Sequence, residues 1–105
     1  MRYLRLKKQA DFDKLFKNGK RAFSPTLTLV YRPSDTPFMG VSVGKRHGKS
    51  VQRNHIKRLI REAFRSVESE IKGSYSFVIV PKVLEEYSYQ TFVKHLSGII
   101  KKEKL

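Results

Sequence analysis

Cysteine is absent from this 105-residue chain, carboxylates are scarce, and long apolar runs are missing. Without cysteine there is neither a disulfide framework nor a Cys-based zinc site, which suits a reducing compartment. No uninterrupted apolar run approaches the roughly 18 residues of a membrane span. The opening MRYLRLKKQADF has neither the apolar core nor the small-residue cleavage site of a secretory signal. The expectation is a soluble, cytoplasmic protein. The 9 Asp+Glu stand against 23 Lys+Arg, a formal net charge of +14. Such an excess opposes compaction through self-repulsion and concentrates anionic partners. Nucleic acid, an anionic membrane surface and an acidic protein are the partner classes it admits. His47, His55 and His95 stand far apart, and the acids form no D-x-D or E-x-x-H cluster. No metal site on the protein is expected, and no Ser/His/Asp set is held close by local geometry. The polypeptide reads as catalytically silent.

The length fits one domain, residues 1–105, with residues 1–8 basic and expected to fray. ADFDKLFKNG predicts a short helix with Phe12, Leu15 and Phe16 on one face and Asn18-Gly19 as its stop. Thr26–Arg32 alternates and is β-rich, and Pro33 ends it. Phe38–Gly44 predicts a second strand with Met39, Val41 and Val43 on one face, and a short extended piece around Arg21–Phe23 can pair beside them. A long helix is predicted from about Ser50 to about Ile71. Tyr75–Val80 predicts a strand stopped by Pro81. Ser88 is a candidate N-cap for a last helix with Phe92, Val93, Leu96, Ile99 and Ile100 on its apolar side. This order gives a single-domain α+β sandwich: three helices packed on one face of a small mixed sheet.

The most informative stretch is GKSVQRNHIKRLIREAFR, residues 48–65. At 100° per residue, Ile56, Leu59, Ile60, Ala63, Phe64 and Val67 share an arc that can bury against a sheet. Arg53, Asn54, Lys57, Arg58, Arg61 and Arg65 share the neighbouring arc. Cations at i, i+4, i+8 and i+12 repel along a helix, so folding gains nothing from them, whereas a polyanion does. Burial of the apolar arc in a domain disfavours a membrane-surface helix. Reading of a DNA major groove is disfavoured because one arc must face the sheet and no short helix precedes at turn spacing. Binding of single-stranded RNA needs cations beside aromatic or polar floor residues, and Phe12 and Phe16 offer either core or stacking aromatics. Ahead of the helix, GKRHGKS (residues 44–50) is one residue short of the G-x-x-x-x-G-K-[ST] phosphate loop, and the other apolar strand ends without a magnesium-binding Asp. The general reading that remains is a basic loop at a helix N-terminus, a favourable place for phosphate. Lys45 and Lys49 stand in it.

GVSVGKRHGKSVQRNHIKRLIREAF resembles the protein subunit of bacterial ribonuclease P, with RNHIKRLIREAF in place of that family's Arg-Asn-Arg signature and its I-K-R-L-x-R-x-x-F continuation. LKKQADFDKLFKNGK is similar to the family's N-terminal helix segment, and FVIVPK plus the last amphipathic helix to its C-terminal half. The resemblance implies a ribonucleoprotein endonuclease that removes 5′ leaders from precursor tRNA. Its RNA subunit holds the catalytic Mg²⁺ and does the hydrolysis, while the protein binds that RNA and the leader. It also implies a four-stranded sheet with a left-handed β-α-β crossover, against the usual hand. No membrane and no obligate protein partner are implied. By position, Arg53, Asn54, Lys57, Arg58, Arg61 and Arg65, with Lys45 and Lys49, form the surface toward the catalytic RNA. Phe12, Phe16, Ser42, Arg46, Arg53 and Lys57 match the leader-binding cleft. The family's strand aromatic falls on Val30 in an ungapped alignment and on Tyr31 in a slipped one; Tyr31 is the aromatic candidate. His55 stands where the third signature residue is usually Arg, trading a fixed charge for a titratable one. A small ribosomal RNA-binding protein is the other reading that the charge pattern permits.

Overall fold

A computed structural model describes residues 3–105. Strand β1 (Leu4–Arg5) leads to helix α1 (Gln9–Asn18), then β2 (Lys20–Phe23), β3 (Leu27–Pro33) and β4 (Phe38–Val41). Helix α2 (Ser50–Val67), β5 (Tyr75–Pro81) and α3 (Tyr89–Lys102) complete the chain. The strands form one mixed sheet in the order β1-β4-β5-β3-β2. β5 runs parallel to β4 and antiparallel to β3, with Val78 opposite Gly40 on one side and Val30 on the other. Its FVIV run is apolar throughout because, as the middle strand, it is covered on both faces. Phe77, Val78 and Ile79 are wholly buried. The β-α-β unit of the fold is β4-α2-β5, two neighbouring parallel strands joined through the basic helix.

The pleat sends alternate residues to opposite faces, and here the two faces receive different cover. Leu27, Leu29, Tyr31, Met39, Val41, Phe77 and Ile79 point to the side where α2 contributes Ile56, Ile60 and Phe64 and α3 contributes Phe92, Leu96 and Ile100. Val30 and Val78 point to the other side, where Leu15 of α1 meets them with Leu6. Helices therefore lie on both faces, not on one as the pattern suggests. The apolar stripe of α1 states that the helix packs, but not against which side of a sheet.

Three further expectations are corrected. Met1 and Arg2 lie outside the described residues, and within the 1–8 segment expected to fray, residues 3–6 are built into the fold. Tyr3 and Leu6 are buried, and β1 pairs in parallel with β4, a fifth strand too short for alternation to reveal. Helix α2 stops at Val67, and its last turn tightens into a 3₁₀ turn over Glu68–Glu70. Gly19 does end α1, but in an extended conformation (φ −80°). Glycine is required there by space: a Cβ would stand 2.7 Å from the Leu15 carbonyl oxygen and 2.9 Å from Val30 Cγ1. Ser88 caps α3 as expected, its Oγ accepting from the Thr91 N–H at 3.4 Å.

Candidate nucleic-acid interface

Helix α2 meets its neighbours through Ile56, Ile60, Ala63, Phe64 and Val67, all buried. Its flank at Ser66 meets Tyr89 of α3 through a side-chain hydrogen bond. The opposite flank carries Arg53, Lys57 and Arg61 at one-turn intervals, each half-buried, with Asn54, Arg58 and Arg65 exposed beyond them. This row is the one the sequence pattern predicts, on a single side of the molecule. Arg53 Nη2 donates to Ser50 Oγ at 3.2 Å, and no carboxylate pairs with any cation of the row among the described residues. Between Asp35 and Glu62 the chain holds no acidic residue at all.

Burial lowers the tendency of Arg61 to hold its proton, and the nearby Arg5 guanidinium lowers it further. Two cations from separate elements, β1 and α2, are thus held in each other's field. Sequence pattern does not reveal Arg5, because two residues of strand inside a basic terminus look like a frayed end. Leu4 and Arg5 are both exposed, between buried Tyr3 and Leu6, so no alternation marks the strand. His55 is exposed, on the flank of α2 that carries Ser66 and away from the cation row.

On the other face of the sheet, Phe12 and Phe16 are half-buried, packed with Phe38 and Val80 at the margin of the small cluster under α1. The Phe12 ring rests on Gly40 of β4: a Cβ at that position would stand 2.7 Å from Phe12 Cζ and 2.9 Å from Cε1. Ser42 continues the alternation of Phe38 and Gly40 onto this face, and its N–H donates to the Ile79 carbonyl at 3.0 Å. The structure therefore groups Phe12, Phe16 and Ser42 on the α1 side of β4. Arg53 and Lys57 belong to the helix that covers the opposite side. β4, packed against α2 and paired with β1, separates the two groups.

Tyr31 is not among them. It points to the α2/α3 side, buried, its ring edge-on to Tyr75 at 6.0 Å between centroids, and its hydroxyl donates to Glu103 Oε1 at 2.6 Å. Val30 is the residue that faces α1. A one-residue slip on a strand exchanges faces, and Tyr31 is an anchor for the C-terminal turn, not a cleft aromatic. Burial and then the Glu103 carboxylate push its phenol up to about 12. A hollow of about 410 Å³ beside α1, lined by Lys14, Arg32, Ser34 and Ser76 over Leu6 and Phe38, contains none of the predicted site residues.

The loop before α2 carries Lys45, Arg46 and Lys49 on the surface, the first two in a 3₁₀ turn closed by His47. Gly48 (φ +112°) then reverses the chain into α2, a conformation that L side chains rarely adopt. No three His, Asp or Glu side chains gather to hold a metal ion among the described residues. A hard divalent cation needs oxygen ligands, and the row of guanidinium and ammonium groups supplies none. No helix of the described residues is long and apolar enough to cross a membrane.

The family model for ribonuclease P matches residues 1–104. The chain belongs to the ribonuclease P protein family. The ribonuclease P protein component of Clostridioides difficile is 33% identical over 102 residues, with 92% of this chain and 89% of that protein covered. That of Clostridium kluyveri is 38% identical over 104 residues, covering 93% and 92%. In three dimensions the ribonuclease P protein of Thermotoga maritima superposes with a TM-score of 0.82 at 26% identity, covering 94% of this chain and 96% of that one. The protein from Staphylococcus aureus gives 0.81 at 27% identity, covering 95% and 94%. A ribonuclease P protein is a subunit of an endoribonuclease, and the basic row of α2 and the half-buried phenylalanines lie within the matched span.

Proposed function

We propose that this chain is the protein subunit of a bacterial ribonuclease P, working in the cytoplasm to remove 5′ leaders from precursor tRNA. It does so by binding RNA at two places. Helix α2, through Arg53, Asn54, Lys57, Arg58, Arg61 and Arg65, with Lys45 and Lys49 of the preceding loop, neutralises phosphates of the catalytic RNA. The single-stranded leader is held from both sides of β4: Phe12, Phe16 and Ser42 supply stacking and polar surface on the α1 side, and Arg46, Arg53 and Lys57 supply charge from the other. The chain contributes no reacting group. Magnesium acts in the holoenzyme, held mainly by the RNA, and the protein's cations relieve the phosphate repulsion that opposes its binding.

The observation that carries this reading is the unpaired row Arg53, Lys57 and Arg61, half-buried and free of any carboxylate partner among the described residues. Held cations without counterions destabilise a lone protein and serve a polyanion. If about 6–10 phosphates are contacted, RNA affinity should fall by roughly three to five decades between 50 and 200 mM salt, less for single strands. Replacing Arg53 and Lys57 together by Ala should weaken binding of precursor tRNA more than of mature tRNA and flatten that salt slope. Equal losses for both RNAs would mean general RNA affinity, the property of a structural RNA-binding protein.

A further inference from the structure

His47 is the only polar or charged residue buried among the described residues, and both of its ring nitrogens are committed to backbone. The Gly44 N–H donates to Nδ1 at 3.1 Å, and Nε2 lies 2.8 Å from the Pro81 carbonyl oxygen. A backbone N–H only donates and a carbonyl only accepts. The two partners together therefore allow one form of the ring: neutral, with Nδ1 bare and the proton on Nε2. The Gly44 carbonyl also accepts the His47 N–H at 2.9 Å, so residues 44 and 47 bond each other in both directions. Pro81 ends β5, the middle strand. One imidazole thus ties the basic loop to the most deeply buried strand of the fold.

The segment around this tie carries the cations assigned to RNA. Lys45 and Arg46 precede the imidazole, Gly48 turns the chain, and Lys49 stands at the start of α2 with no side-chain cap. We propose that neutral His47 is a positioning residue, a latch holding this loop and the first turn of α2 as one rigid phosphate-binding surface that acid releases. The proposal rests on the RNA-binding reading above.

A second proton would go to Nδ1, setting an N–H against the Gly44 N–H and leaving a charge in a buried site. The charged residues nearest to it along the chain and beside Pro81 are cations. The loop itself supplies Lys45, Arg46 and Lys49, the early turns of α2 supply Arg53, and the residue after Pro81 is Lys82. Lys82 N–H donates to the Thr26 carbonyl, and Thr26 Oγ1 is 2.7 Å from Nδ1 of His95 on α3, so a second imidazole stands at this end of the sheet. Glu85 and Glu86 are exposed, further along the loop after β5.

The experiment uses the full chain, its imidazoles labelled with nitrogen-15, and a precursor tRNA as the probe. At neutral pH the His47 resonances should report the Nε2–H tautomer and the Gly44 amide should be protected from exchange. On acidification Gly44 protection should be lost before the global fold, and precursor-tRNA affinity should fall although the protein gains charge. His47→Asn keeps an acceptor at the Nδ1 position and cannot take up a proton. It should retain Gly44 protection and bind RNA with no acid limb. His47→Leu fills the space without either bond and should lose affinity roughly tenfold, the scale of one hydrogen bond to a buried group. An Nδ1–H tautomer, a Gly44 amide indifferent to acid, or full affinity in His47→Leu would each overturn the latch. If the leucine variant does not fold, the tautomer and the asparagine variant still decide. Failure of the unsubstituted chain to bind precursor tRNA at neutral pH would overturn the RNA-binding reading, a result distinct from intact binding without the acid response.

Discussion

The two faces of the sheet are built from the same strands and end in opposite states. On one face, α2 and α3 close over a continuous cluster that runs from Tyr3 through Phe64 and Phe77 to Leu105. On the other, α1 fully buries only Leu6, Leu15, Val30 and Val78 and leaves Phe12, Phe16, Phe38 and Val80 partly uncovered. A face sealed by two helices supplies stability, and a face crossed by one short helix leaves aromatic surface to offer. The half-covered aromatic surface thus lies across a single layer of backbone from the cluster that supplies most of the stability, with β4 contributing residues to each.

Substitutions that treat the faces alike are the strongest way to break this comparison. Phe64→Ala on the sealed face should lose about 3–5 kcal/mol of folding free energy, read by chemical denaturation. Phe16→Ala on the open face should lose about 1–2 kcal/mol, because its ring is only half-covered. The same variant should weaken leader binding by the worth of one stacked base, on the order of 1–3 kcal/mol, read by titration with leader-bearing and leaderless tRNA. Equal destabilisation by the two substitutions would show that the open face is ordinary core. A smaller effect sharpens the picture from the strand side. Gly40→Ala puts a methyl 2.7 Å from Phe12 Cζ, so the ring must move. Leader affinity should drop while the salt slope, set by the cations, stays unchanged. A slope that changed with it would couple the two groups more tightly than β4 allows.

The last effect concerns the sealed face at high pH. The Tyr31 phenol is raised from 10.0 to about 12 by burial and by Glu103. A group whose folded value is raised stabilises fully below its unfolded value and loses that contribution as pH rises through the folded one. Stability should therefore fall between about pH 10 and 12, and Tyr31→Phe should remove that part of the fall. An unchanged fall in the phenylalanine variant would assign the loss to other groups.

Much of this architecture is legible in residue order. Alternation in Thr26–Arg32 and Phe38–Gly44 locates two strands, and the 100° arcs of residues 48–65 separate the buried stripe of α2 from its cations. The parts that are not legible share a cause: they depend on which face or partner the tertiary fold supplies. An apolar stripe on α1 does not reveal a side of the sheet. Two residues of β1 carry no period, so nothing local sets Arg5 beside Arg61. The choice between Val30 and Tyr31 is a matter of one residue of register, settled by Glu103, seventy-two positions away in sequence. Nothing in the sequence near His47 reveals its partner Pro81, thirty-four residues on.

Cleavage of precursor tRNA by a bacterial ribonuclease P RNA at low Mg²⁺, with and without the added chain, tests most directly whether these cations and rings serve a catalytic RNA. The protein alone should cut nothing, and together with the RNA it should strongly stimulate leader removal. An RNA that works no better in its presence, or a protein that cleaves by itself, would contradict the account.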